Sequence, residues 1–202
     1  MAKNSLSRWL AGWLGGGSND SGIAVTPQTS MTFAPIWQAN NIISGDLAAM
    51  PLESFRRGSN GDERDYDQAW WLLNEEPNEY MNGTTMRETM QSHALMRGNG
   101  YAAIERNGGG MATRLIPLLP DNVSLEVTSS GTVYTHIQDG HKTDIKSDDM
   151  LHIKGLGPDG LLGYDVVTLA RHNWGLGLNE EKHGNKHFRN NARPNVVLTH
   201  ER

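Results

Sequence analysis

An α+β fold, with N-terminal helices, then an antiparallel strand meander, then a long helix, is predicted by how the hydrophobic period changes along these 202 residues. Apolar residues recur at three- and four-residue steps before Gly98, and at two-residue steps from Tyr101 to Ile153. Turn chemistry separates the two-residue runs, and no βαβ alternation occurs.

The elements follow in order. Leu6, Trp9, Leu10, Trp13 and Leu14 form one helical stripe, and Gly15-Gly16-Gly17-Ser18-Asn19 makes a flexible joint after it. This amphipathic arm suits docking on its own protein or on a neighbour. A signal peptide, or an anchor on a membrane or host factor, are rival readings, but two Trp and a Gly interrupt the apolar part and the basic face is thin. Ile36, Ala39 or Asn40, Ile43, Leu47 and Met50 predict a helix over 35–49 with those residues buried, started by Pro35 and ended by Pro51. Leu52 to Arg56 reads as a short strand closed by Gly58-Ser59-Asn60-Gly61, and Gln68 to Asn74 as a short helix stopped before Pro77. Thr85-Met86-Arg87-Glu88 fits a capping box for a helix running to a left-handed stop at Gly98.

Strands are predicted at Tyr101–Arg106, Met111–Ile116, Val123–Val127, Val133–Ile137, Thr143–Lys146 and Met150–Ile153, with Asp139-Gly140 as the strongest hairpin signal. A helix from about Asp165 to Asn190 follows, weakened by Gly175, Gly177 and Gly184 and ended by Asn191 and Pro194. The expected organisation is an arm and linker over 1–22, an α+β core over 23–163, and a long helix over 164–202.

Composition narrows the function. With no cysteine, disulfide scaffolds, thiolate metal sites and cysteine nucleophiles are excluded. No apolar run has the length of a membrane span. A net charge of −5 argues against tight phosphate binding, so any contact with DNA is expected to be loose. The charge is uneven. Asp62 to Glu79 holds seven acids and one base, whereas Arg171 to Arg202 holds six bases, three acids and four histidines. Solvated faces explain this, and so does attraction between neighbouring copies in an oligomer.

Few groups have the spacing of a reactive site. Glu180, His183 and His187 could clamp a divalent metal on one helix face, and with Asp148 or Asp149 would make a metal-dependent hydrolase. Lys182 and Gly184 spoil the His-Glu spacing of a metalloprotease helix, and Asp148-Asp149 reads as a turn entry capping local amides, since adjacent aspartates on a strand would point to opposite faces. Gly155-Leu156-Gly157-Pro158-Asp159-Gly160 lacks the Lys-Ser/Thr of a phosphate loop. The expectation is therefore no catalytic, cofactor-binding or metal-binding residue, no cofactor and no enzymatic activity.

Seven segments, in order, resemble the N-terminal, wing-side half of the HK97-type tailed-phage portal proteins. They are Trp37 to Leu52, Leu72-Leu73-Asn74-Glu75-Glu76-Pro77-Asn78, Gly98-Asn99-Gly100-Tyr101-Ala102, Ile116 to Val123, Asp149 to Gly155, Asp159-Gly160-Leu161-Leu162-Gly163 and Phe188 to Pro194. Gly100 and Asn191 depart from the family's usual residues, and residues 1–30 have no clear counterpart. The family continues into stem, clip and crown regions, so this sequence reads as a truncated chain or one product of a divided chain. The resemblance implies a structural portal, or connector: a ring, usually of twelve subunits, at one vertex of the capsid. Its implied partners are other copies of itself, the capsid protein, the terminase motor, tail and neck adaptors, and double-stranded DNA passing through without sequence-specific binding. The implied location is the virion, with the host cytoplasm during assembly.

Overall fold

In the computed structural model, residues 25–59, 61–129 and 131–190 are described. The predicted arm at 6–14, its glycine joint, and Asn191 to Pro194 lie outside them. Contacts divide the chain into two compact units, one running from Pro35 to Val166 and the other drawn from residues up to Ala34 and from Val167 onward.

The larger unit begins with α2 (Ala34–Ala49), which follows a single turn, α1 (Pro27–Ser30). The α2 span agrees with expectation, but its buried face does not. Asn40, Ser44 and Ala48 point inward, while Ile43, Leu47 and Met50 stand exposed. Polar contacts hold the inward face: Asn40 donates to Ser92 Oγ at 2.9 Å, and Ser44 Oγ donates to the Asn40 carbonyl at 2.6 Å.

The predicted strand at Leu52–Arg56 is shifted. The strand is β1 (Phe55–Gly58), and it pairs antiparallel with an unexpected β2 (Gly61–Arg64). Both strands are exposed along their length, so neither shows the alternation that burial imposes. Ion pairs Arg56–Asp65 and Arg64–Glu53 decorate this hairpin. Helix α3 (Gln68–Asn74) forms where predicted, with Asp67 accepting from the Trp70 amide at 2.8 Å. Helix α4 (Gly83–Arg97) starts earlier than its predicted box. Asn82 is the cap and accepts from the Thr85 amide at 2.8 Å, so Thr85 lies within the first turn. Gly98 ends the helix at φ 74°, the left-handed stop the sequence predicts.

The remaining strands are β3 (Asn99–Arg106), β4 (Ala112–Leu118), β5 (Val123–Thr128), β6 (Gly131–Gln138), β7 (His141–Lys146) and β8 (Met150–Lys154). They form two sheets, not one meander. The orders are β4-β3-β8 and β5-β6-β7, with all pairings antiparallel. Strand β8 returns to the free edge of β3, placing Tyr101 opposite His152. Asp139 and Gly140 turn the β6–β7 hairpin with φ 51° and 79°, the two positive values of a type I′ turn.

Period-two alternation on β3 serves two cores. Ala102 faces helices α3 and α4 in a cluster with Leu72, Met86, Met90 and Leu115. Tyr101 faces the second sheet in a cluster with Leu118, Tyr134 and Met150. The unit is therefore layered: helices, then β4-β3-β8, then β5-β6-β7.

In the smaller unit the predicted long helix is broken. A short α5 (Val166–Leu169) precedes α6 (Arg171–Arg189), with Ala170 at φ −92° and ψ 8° between them. Glycines do not interrupt α6. A Cβ on Gly177 would come within 2.9 Å of the Phe33 ring, so this glycine makes room for an aromatic side chain against the helix.

Candidate functional site

Three stretches far apart in sequence meet where α4 hands over to β3. The helix must reverse at Gly98, and the 155–163 loop crosses directly over that reversal. Gly155 N–H donates to the Gly98 carbonyl at 2.8 Å. A Cβ on Gly98 would sit 2.2 Å from the Tyr164 carbonyl oxygen, and one on Gly163 would sit 1.9 Å from that of Gly98. Only backbone without side chains fits this crossing.

Asn99 ties the crossing laterally. Its Oδ1 accepts from Gly163 N–H at 2.9 Å, and its Nδ2 donates to the Gly163 carbonyl at 3.2 Å. That pairing fixes the amide's orientation, so the 3.0 Å contact to His152 Nε2 requires the histidine to donate. His152 Nδ1 then accepts from the Tyr134 hydroxyl at 3.1 Å, which reaches across from the second sheet. Tyr101 packs on the imidazole with ring centres 4.4 Å apart. Burial, with Lys154 a smaller influence, pushes His152 down to about 4. Burial also raises the Tyr101 and Tyr134 hydroxyls above the ordinary phenol range.

The loop carries its own supports. Asp159 accepts from the Leu161 and Leu162 amides at 2.9 and 3.3 Å, which holds its carboxyl below the usual range. Lys154 Nζ donates to the Gly160 carbonyl at 2.9 Å. The 155–163 tract thus folds as a strap tied to Gly98 through Gly155 and to Asn99 through Gly163.

A second knot joins α3 to β4. Pro77 is fully buried, and its carbonyl accepts from the Leu115 amide at 2.8 Å. Asn78 Nδ2 returns a bond to the Leu115 carbonyl at 2.8 Å, while its Oδ1 accepts from the Tyr80 and Met81 amides. Arg87 makes a third knot that the sequence did not announce. It donates to the Ala48 carbonyl at 2.6 Å, to the Leu73 carbonyl at 2.6 Å and to Asn74 Oδ1 at 3.2 Å.

His152 couples the junction to pH. A histidine whose folded value is depressed stabilises the fold above its unfolded value of 6.5, and that contribution is lost as pH falls toward about 4. The melting temperature should therefore drop between those limits. His152→Gln, which can donate to Asn99 and accept from Tyr134, should flatten that part of the curve. An unchanged slope in the variant would assign the acid sensitivity to other groups.

The other candidates are placed differently. Glu180, His183 and His187 stand exposed on α6. Among the described residues no group of three or more His, Asp or Glu could hold a metal ion. Exchanging His183 and His187 for Gln should leave melting within about 0.5 kcal/mol of the parent, with or without added zinc. A zinc-dependent loss on exchange would contradict that. Asp148 and Asp149 lie in a 3-10 turn (Ser147–Asp149) that leads into β8, and Arg106 engages both, through Asp149 Oδ1 and the Asp148 carbonyl, each at 2.8 Å. Among the described residues no helix is long and apolar enough to cross a membrane.

The residues gathered at these knots engage one another and hold segments in register. Residues 34–202 match the profile of the phage portal proteins, and the chain belongs to that family. It is 29% identical over 183 residues to the portal protein of Enterobacteria phage HK97, covering 89% of this chain and 43% of that one. It is 27% identical over 202 residues to the probable portal protein of Streptomyces phage phiC31, covering 88% and 41%. The chain thus spans less than half the length of these curated relatives. A subunit in the neck of a native gene transfer agent particle, solved with C12 symmetry, has the same fold at a TM-score of 0.68 and 20% identity, covering 97% of this chain and 57% of that one.

Proposed function

We propose that this chain is the wing-side part of a portal ring of twelve subunits at one vertex of a tailed-phage capsid. In this role the terminase motor docks on the ring during packaging, DNA passes through it in both directions, and neck and tail proteins join it afterwards. It works without catalysis or cofactor, in the virion and, before that, in the host cytoplasm where particles assemble. The domain scheme of arm, α+β core and terminal helix fits a wing whose last helix leads toward a stem.

The observation that carries the reading is the family match across residues 34–202, joined to the knots that fall on its shared segments. Net charge supports it as well. A chain at −5 repels DNA weakly, so a passing duplex is not gripped by condensed phosphate contacts. A nonsense mutation in the corresponding gene tests the function. Capsids without packaged DNA are the expected product, and complementation should restore filled heads. Normal yields of DNA-filled heads without the protein would overturn the proposal.

A further inference from the structure

We propose that the outward apolar flank of α2, carried on along the chain by Leu52 and Phe55, is a subunit interface whose occupant is a second copy of this chain. The inference rests on the ring reading above.

The flank is unusual in kind. Helix α2 buries Asn40, Ser44 and Ala48 and leaves Ile43 48%, Leu47 40% and Met50 57% exposed, the reverse of a helix on a monomer surface. Leu52 and Phe55 follow at 42% and 56%. These five side chains offer roughly 400 Å² of apolar surface if each leaves about half its area in water. That falls within the range of the largest patches on ordinary monomers, which mark interaction sites, and is about half of the ~800 Å² each partner contributes to a stable interface. The inward face cannot exchange places with it, because Asn40 and Ser44 are committed to Ser92 and to backbone and Arg87 holds the Ala48 carbonyl. A closed ring supplies the occupant. Each subunit must present two different patches to its two neighbours, so an apolar patch of this size is covered by the next copy.

Site-specific photocrosslinking in assembled particles tests this. Ile43→p-benzoylphenylalanine and, separately, Leu47→p-benzoylphenylalanine should give a chain-to-chain adduct of doubled mass. Gln38→p-benzoylphenylalanine, an exposed position on the same helix away from the stripe, should give at least about ten-fold less. Electron microscopy of the same preparation shows whether a ring is present. A ring without the adduct, or with an adduct to a different polypeptide, overturns the inference and leaves the ring reading intact. Particles with no ring overturn the reading itself, and the inference with it.

Discussion

Gly98→Ala should lower the melting temperature by about ten degrees or more, or leave the chain unfolded at growth temperature. Two costs combine. Alanine in a left-handed conformation costs about 1–2 kcal/mol, and Gly98 sits at φ 74°. The added Cβ would also lie 2.2 Å from the Tyr164 carbonyl oxygen, which is backbone and cannot rotate away. Overpacking of that kind costs a further ~1–3 kcal/mol, and it forces the strap off Asn99. Gly140→Ala separates the two costs. Gly140 has nearly the same φ, 79°, with nothing within 4 Å of its added carbon, so only the conformational cost applies there. Thermal melts of both variants give the comparison. Equal losses would mean that the crossing of Gly98 and the 155–163 strap is not a tight contact in solution.

Arg87→Met should cost about 2–4 kcal/mol in urea denaturation, with little change in the dependence on denaturant. The guanidinium fork serves the last turn of α2 and the end of α3 at once, through the carbonyls of Ala48 and Leu73 and through Asn74 Oδ1. Methionine keeps the apolar stem of the side chain but leaves these acceptors without their donor. Lysine is no substitute, since a single ammonium cannot reach all three with the fixed geometry of a planar fork. Arg87→Lys should therefore recover less than half of the loss. Full recovery would show that charge alone, not the fork, holds the helices together.

Much of this architecture was legible because local chemistry decides it. Asp139-Gly140 has the residues a type I′ turn needs, Gly98 stops a helix by its own conformational freedom, and β3 sends Tyr101 and Ala102 into different cores because successive strand side chains point to opposite faces. What failed depends on tertiary partners. The inverted face of α2 is held by a bond to Ser92, 52 residues away from Asn40, which no hydrophobic period encodes. The split of the strands into two sheets follows from β8 returning to β3, and sequential strands give no sign of such a return. Asn82 displaced Thr85 as the cap because both residue types suit it, and only the position of Gly83 decides: its amide is bound to the Glu75 carbonyl at 2.9 Å.

The junction was half legible. Gly98-Asn99, His152 to Gly155 and Asp159 to Gly163 stood out as family-like segments, yet nothing in their spacing says that they touch. The structure brings them together, since Gly98, Gly155 and Gly163 clear one another's backbones and Asn99 joins loop to histidine. Arg87 and Tyr134 gave no signal at all. One arginine on an amphipathic helix and one tyrosine on a strand look like any others until their partners are known.

The measurement that bears most directly on the account is a symmetry-free electron cryomicroscopy reconstruction of particles containing this protein. The account predicts density for the α2–β8 unit in a ring of twelve at a single vertex, with the outward flank of α2 against the adjacent copy. Copies spread over every vertex or through the shell, or no ring at any vertex, would contradict it.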